Sequence, residues 1–81
     1  MRDESGIMKK YQVLWVNYPK TEIHVVESIS AESACKQMVL KKYKAGFMAT
    51  SYVSCTAFEM GGDEECEYEL CFKTGKFRKK V

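Results

Sequence analysis

The sequence is poor in the residues that most often carry chemistry. It holds one histidine, one proline and one tryptophan. His24 lies in an alternating run beside Glu22, with no nucleophile signature nearby. Ser–His–Asp and Cys–His arrangements therefore have no footing, and a surface strand histidine is the plainer reading. No other catalytic signature is visible, so the chain is expected to be non-enzymatic. The four cysteines, Cys35, Cys55, Cys66 and Cys71, are separated by 19, 10 and 4 residues. The absence of CxxC removes zinc ribbons and thioredoxin-like motifs.

Long apolar runs are missing too. The longest is Val13–Val16, whereas a bilayer span takes about 20 residues, and no membrane partner is expected. Residues 1–6 are charged and no apolar segment follows them, which predicts no signal peptide. Together with the cysteine pattern this predicts a cytoplasmic protein with reduced, partly buried thiols. An excess of one charge is also lacking. Thirteen Lys and Arg against 11 Asp and Glu leave a net charge of +2. That is too basic for a nucleic-acid mimic and too weakly basic for a dedicated nucleic-acid binder.

What is present suits a small folded domain. At 81 residues, 46% hydrophobic and 30% charged, the chain is neither disordered in composition nor long enough for two cores. Burying only about 60–65% of its unfolded surface, it has material for one helix layer on one sheet. Residues 1–7 read as a flexible, polar N-terminus and 8–81 as one α+β domain. Tyr11, Val13 and Trp15 alternate with Gln12, Leu14 and Val16, and both sets are largely apolar, as in a central strand. "NYPK" (17–20) turns the chain, and 21–29 alternates again, with Ile23 and Val25 on one face and Glu22 and His24 on the other. Ser30 is placed to cap a helix whose first turn carries Glu32. Ala31, Ala34, Cys35, Met38 and Val39 form its apolar stripe, and Gly46 is its C-terminal glycine. Two residues misfit. Lys42 falls near the middle of that stripe and must snorkel, and Leu40 points the other way.

Residues 47–60 read as a third strand, with small Val53, Cys55 and Ala57 toward the helix and Tyr52, Ser54, Thr56 and Phe58 away from it. "GGDEE" (61–65) is a loop and 66–72 a fourth strand. Residues 73–76 turn through Gly75, and 77–81 is a short last strand or a tail. The order is β-β-α-β-β, a two-layer domain with a mainly antiparallel sheet of four to five strands and one helix on one face.

Several clusters could bind something. Asp63, Glu64 and Glu65 offer oxygen ligands, but not in the order of a calcium loop, and Glu67 with Glu69 alternates as a solvated face does. Cys55, Cys66, Cys71 and His24 could be imagined around zinc. Cys66 and Cys71, however, are an odd number of residues apart and point to opposite faces of an ideal strand. A metal or thiol-redox role is thus a remote alternative, and no cofactor is expected. Lys73, Lys76, Arg78, Lys79 and Lys80 form a basic end, and Lys9, Lys10, Lys41, Lys42 and Lys44 could form a second patch. With Tyr11, Trp15, Tyr52 or Phe58 stacking on bases, a nucleic-acid module is the main alternative. The leading expectation is protein binding by the sheet face that has no helix. It would use Tyr52 and Phe58, joined by Leu14 or Trp15, with Lys36, Lys41, Lys44, Lys76, Arg78, Lys79 and Lys80 as charged contacts, in a monomer or a homodimer.

The stretch "KKYQVLWV…TEIHVVESISAESACKQMVLKKYKAG" resembles DpnD/PcfM-like proteins of phages and mobile elements over residues 8–60. The likeness rests on Val26, Ser28, Ser30, Glu32, Ala34, Tyr43 and Gly46, which are strand, cap and helix positions; residues 61–81 depart from the pattern. In size and element order the chain is also similar to small anti-CRISPR proteins of type I systems. That resemblance implies a non-enzymatic inhibitor docking on a host protein or protein–nucleic acid complex.

Overall fold

The computed structural model describes residues 8–49 and 51–80; the expected N-terminal flexible segment, 1–7, lies outside them. The strands are β1 (Lys9–Asn17), β2 (Lys20–Ser28), β3 (Val53–Glu59), β4 (Glu65–Cys71) and β5 (Lys76–Lys79), with helix α1 (Ala31–Ala45) between β2 and β3. They form one five-stranded open sheet in the order β2-β1-β3-β4-β5. Every neighbouring pair is antiparallel. The fold is the expected α+β arrangement, with the C-terminal stretch paired as a fifth strand.

Registers sort the side chains into rows. Glu22, Trp15, Cys55, Tyr68 and Lys79 form one row across the sheet, on the face that α1 covers. The next row, Thr21, Val16, Ser54, Glu69 and Arg78, lies on the open face. Because strand side chains alternate, these rows fix the face of every other strand residue. Ile23 and Val25 therefore lie on the open face, while Glu22, His24 and Val26 lie toward the helix.

Close approach of α1 to the sheet follows from small residues on both sides. Ala31, Ala34, Cys35 and Met38 are buried against Val53, Cys55, Ala57 and Cys66. Ser30 caps the helix, its Oγ accepting from Ser33 N at 3.0 Å. Gly46 ends it at φ 80°, with its N–H returned to the last-turn carbonyls, a conformation that glycine reaches without Cβ strain.

Three expectations change. The third strand begins at Val53, not at residue 47. Phe47 instead turns inward, with its ring centroid 5.1 Å from that of Trp15. Trp15 and Tyr11, considered for an exposed face, are core residues. Phe72 leaves the fourth strand and is exposed in the turn to β5.

Candidate functional site

The residues expected to meet a partner fall on two surfaces. Tyr52, Phe58, Lys76, Arg78 and Lys80 belong to the open face. Lys36, Lys41, Lys44 and Lys79 belong to the helix side. Strand parity separates Lys79 from its neighbours in sequence: Tyr68, opposite it, lies under the helix, whereas Glu69, opposite Arg78, lies on the open face.

On the open face the charges largely satisfy one another. Arg78 Nη2 lies 3.1 Å from Glu69 Oε2, and Lys80 Nζ lies 3.5 Å from Glu67 Oε2 and 3.8 Å from Glu69 Oε1. Glu67 beside Lys80 raises the lysine's pKa, with Tyr52 and Glu69 adding to the effect. This ladder packs over Ser54 and Thr56, which are buried although they face away from α1. Beyond it, on β1 and β2, the same face is apolar: Leu14, Val16, Ile23 and Val25, with Phe58 at the border. Arg78 and Lys80, already holding carboxylates, offer phosphate little.

The helix side has a different character. A groove of about 380 Å³ runs between α1 and the β4–β5 end of the sheet, lined by Lys36, Val39, Leu40, Tyr43, Tyr68 and Phe77. Two of its lining rings, Tyr43 and Phe77, belong to an aromatic cluster. Trp15 contacts Phe47 and Phe77, and Tyr43 contacts the same two rings, at centroid distances of 5.1 to 6.0 Å. Leu40 is 56% exposed and Tyr43 49%. Leu40 also borders a second hollow, of about 300 Å³, shared with Gln37, Lys41 and Lys44. It is thus a ridge between two depressions and packs into neither.

Electrostatics differ between the two depressions. Beside the groove, Glu32 holds Lys36 at 3.1 Å and Lys79 at 3.9 Å. Hydrogen bonds from Lys36 and Tyr68 lower the Glu32 pKa. Burial and the bond to Glu32 push the Tyr68 phenol up to about 12. Across the Leu40 ridge, Lys41 and Lys44 line the second hollow and make no ion pair with any described residue. Lys42, between them, turns inward. Its Nζ is 2.6 Å from Glu22 Oε1 and 5.6 Å from the centroid of Trp15, so this misfit is resolved by snorkelling over the aromatic cluster.

Glu64 and three of the cysteines are tied into the fold. Glu64 Oε1 accepts from Tyr11 Oη at 2.9 Å and Oε2 from Ala31 N at 2.8 Å. The side chain thus ties the β3–β4 loop to β1 and to the N-terminus of α1, a role without any local sequence signal. Cys35, Cys55 and Cys66 are buried free thiols. Cys35 Sγ donates to the carbonyls of Cys55 and Cys66, each at 3.4 Å. Its hydrogen bond with Cys55, followed by burial, raises its pKa. Cys71 emerges on the open face, away from Cys66. Among the described residues no group of three or more His, Cys, Asp and Glu could hold a metal ion. Among them, too, no helix is long and apolar enough to cross a membrane.

No protein family, curated protein or solved structure matches the chain.

Proposed function

We propose that this chain is a non-enzymatic cytoplasmic binding module of phage or mobile-element type, which inhibits or modulates a host protein complex. The resemblance of residues 8–60 to DpnD/PcfM-like proteins, and of the chain's size and element order to small anti-CRISPR proteins, motivates that setting, with a nucleic-acid-guided effector as the target. The binding element is the groove beside α1, and its occupant is an acidic, amphipathic segment of the partner protein. One observation carries the reading. Leu40 and Tyr43 stand exposed along a largely apolar groove, and across the Leu40 ridge Lys41 and Lys44 line a second hollow. An apolar anchor would fill the space between Leu40, Tyr43 and Phe77, and carboxylates beside it would meet the two lysines. This is helix-in-groove recognition with charge supplying orientation.

The probe is a displayed library of random 15-residue peptides selected against the immobilised full chain. Selected peptides should be rich in acids and carry large apolar residues three or four apart. Leu40→Asp should weaken them by at least about tenfold, the cost of one lost apolar anchor. Lys41→Glu with Lys44→Glu should weaken them further at low salt. If selected peptides share no acidic–apolar pattern, or bind the Leu40→Asp variant equally well, the groove is not the site. Salt-sensitive oligonucleotide binding at micromolar protein would favour the nucleic-acid alternative instead.

A further inference from the structure

The sheet has two edges, and the β5 edge is the more blunted. β5 ends it with four residues, Lys76–Lys79, of which all but Phe77 are basic. Short, charged strands resist further pairing. The β2 edge is nine residues long and contains no proline. It runs in register with β1 from Lys20 to Ser28, and like any edge strand it turns alternate N–H and C=O groups outward. Ile23 and Val25 are each 61% exposed on its open face.

We propose that β2 is the edge through which two copies of this chain join. The strands pair antiparallel about a two-fold axis perpendicular to the sheet at Ile23, and the sheet continues across both copies. Such an axis keeps both helices on one side and sets residues of equal parity against each other. Within that rule the side chains choose the register. An axis at His24 would oppose the two imidazoles. An axis at Val25 would oppose Ile23 and Glu27. At Ile23, by contrast, the open face pairs Ile23 with its own copy and Val25 with Thr21, all β-branched, which suits cross-strand packing.

On the helix side the same register places Glu22 beside His24 of the second copy, twice. Glu22 is ready for it. Lys42 Nζ and His24 Nε2 both contact its Oε1, at 2.6 and 2.8 Å, and among the described residues Oε2 accepts no hydrogen bond. Pairing also brings the two Leu14–Val16–Ile23–Val25 patches side by side, so the edge contact is continuous with an apolar surface. The groove beside α1 lies toward the opposite edge of the sheet and stays open in such a dimer, so this inference stands apart from the peptide-binding reading.

Analytical ultracentrifugation of the full chain, from micromolar to about millimolar, should show a monomer–dimer equilibrium. Ile23→Lys and Val25→Lys should each weaken it at least tenfold. Both positions are exposed, and Trp15 fluorescence verifies that the variants are folded. In a Cys71→Ser background, mild oxidation should cross-link Ile23→Cys, whose two Cα atoms would lie about 5 Å apart across the axis. His24→Cys should not cross-link, because its Cα atoms would be about 8 Å apart, beyond disulfide reach. A monomer throughout the concentration range, a dimer indifferent to Ile23→Lys, or faster cross-linking of His24→Cys would each overturn the proposal.

Discussion

The Tyr11–Glu64–Ala31 linkage gives the sharpest test of how this small sheet holds its helix. Tyr11 is fully buried, and its hydroxyl bonds to Glu64 at 2.9 Å. Glu64→Ala removes that acceptor, the acceptor of Ala31 N–H, and a negative charge at the helix N-terminus. Orphaning a buried hydroxyl costs about 1–3 kcal/mol, and the charge adds about 0.3–1 kcal/mol. We expect about 3 kcal/mol in all, a large share of the roughly 4–12 kcal/mol available to a chain of this size. Tyr11→Phe should cost less, about 1.5 kcal/mol, because Glu64 keeps the helix bond. The double variant should fall short of the sum by about 1 kcal/mol or more, since Tyr11→Phe removes the group that Glu64→Ala orphans.

Urea denaturation followed by Trp15 fluorescence measures all three variants. The pH dependence supplies an independent sign. The Ala31 N–H, then the Tyr11 hydroxyl, hold the Glu64 pKa below its ordinary value. Its contribution is therefore present above the unfolded pKa of about 4.3 and is lost as pH falls through the lower folded value. Burial and the bond to Glu64 push Tyr11 up to about 12. The tyrosine contribution is present below about pH 10 and is lost as pH rises toward 12. Glu64→Gln should flatten the acid limb and Tyr11→Phe the alkaline one. A coupling energy under about 0.5 kcal/mol, with an unchanged acid limb in Glu64→Gln, would refute the linkage.

Other expectations are simpler. Leu40→Asp should leave stability within about 0.5 kcal/mol of the parent in thermal unfolding, because Leu40 supports no core contact. Lys42→Ala should cost about 1 kcal/mol and shift Trp15 emission, as both the Glu22 bond and the cation over the ring are lost. Gly46→Ala should cost about 1 kcal/mol in the same melts, since alanine is strained at φ 80°. Of the four cysteines, Cys71 alone should react quickly with a thiol-specific reagent in the folded protein. The other three are buried, whereas hydrogen bonds from Thr74 and the Lys73 backbone lower the Cys71 pKa; four equivalents should react in denaturant.

Local chemistry was legible and distant chemistry was not. Ser30 and Gly46 act within one helical turn, so residue type alone marks both ends of α1. The β1–β2 hairpin is equally local. The neighbours of Phe47 permit alternation and so suggest strand; what draws it inward is Trp15, far off in the sequence. Nothing near Glu64 in sequence marks its role, because its partners lie 33 and 53 residues away. Burial of Trp15 was half legible. Parity placed it with Tyr11 and Val13, but only the pairing with Cys55 says that this row faces the helix. Parity could likewise have separated Lys79 from Lys76, Arg78 and Lys80, once the last segment was known to be a strand.

The two misfits of the helix finally part company, and that difference bears on function. Lys42 breaks the apolar stripe yet gains a carboxylate and an aromatic ring, so stability accounts for it. Leu40 stays more than half exposed and joins no core cluster. A polar residue there would cost the fold nothing, since the site is already in water and the helix would be as well formed. Tyr43 beside Leu40 packs on Phe47 and Phe77, whereas the leucine at the rim of the groove has no such account. Local rules broken without internal compensation are expected where a surface answers to something outside it. By that standard the outer face of α1, ahead of the charge-paired β4–β5 ladder, is the first place to look for the partner.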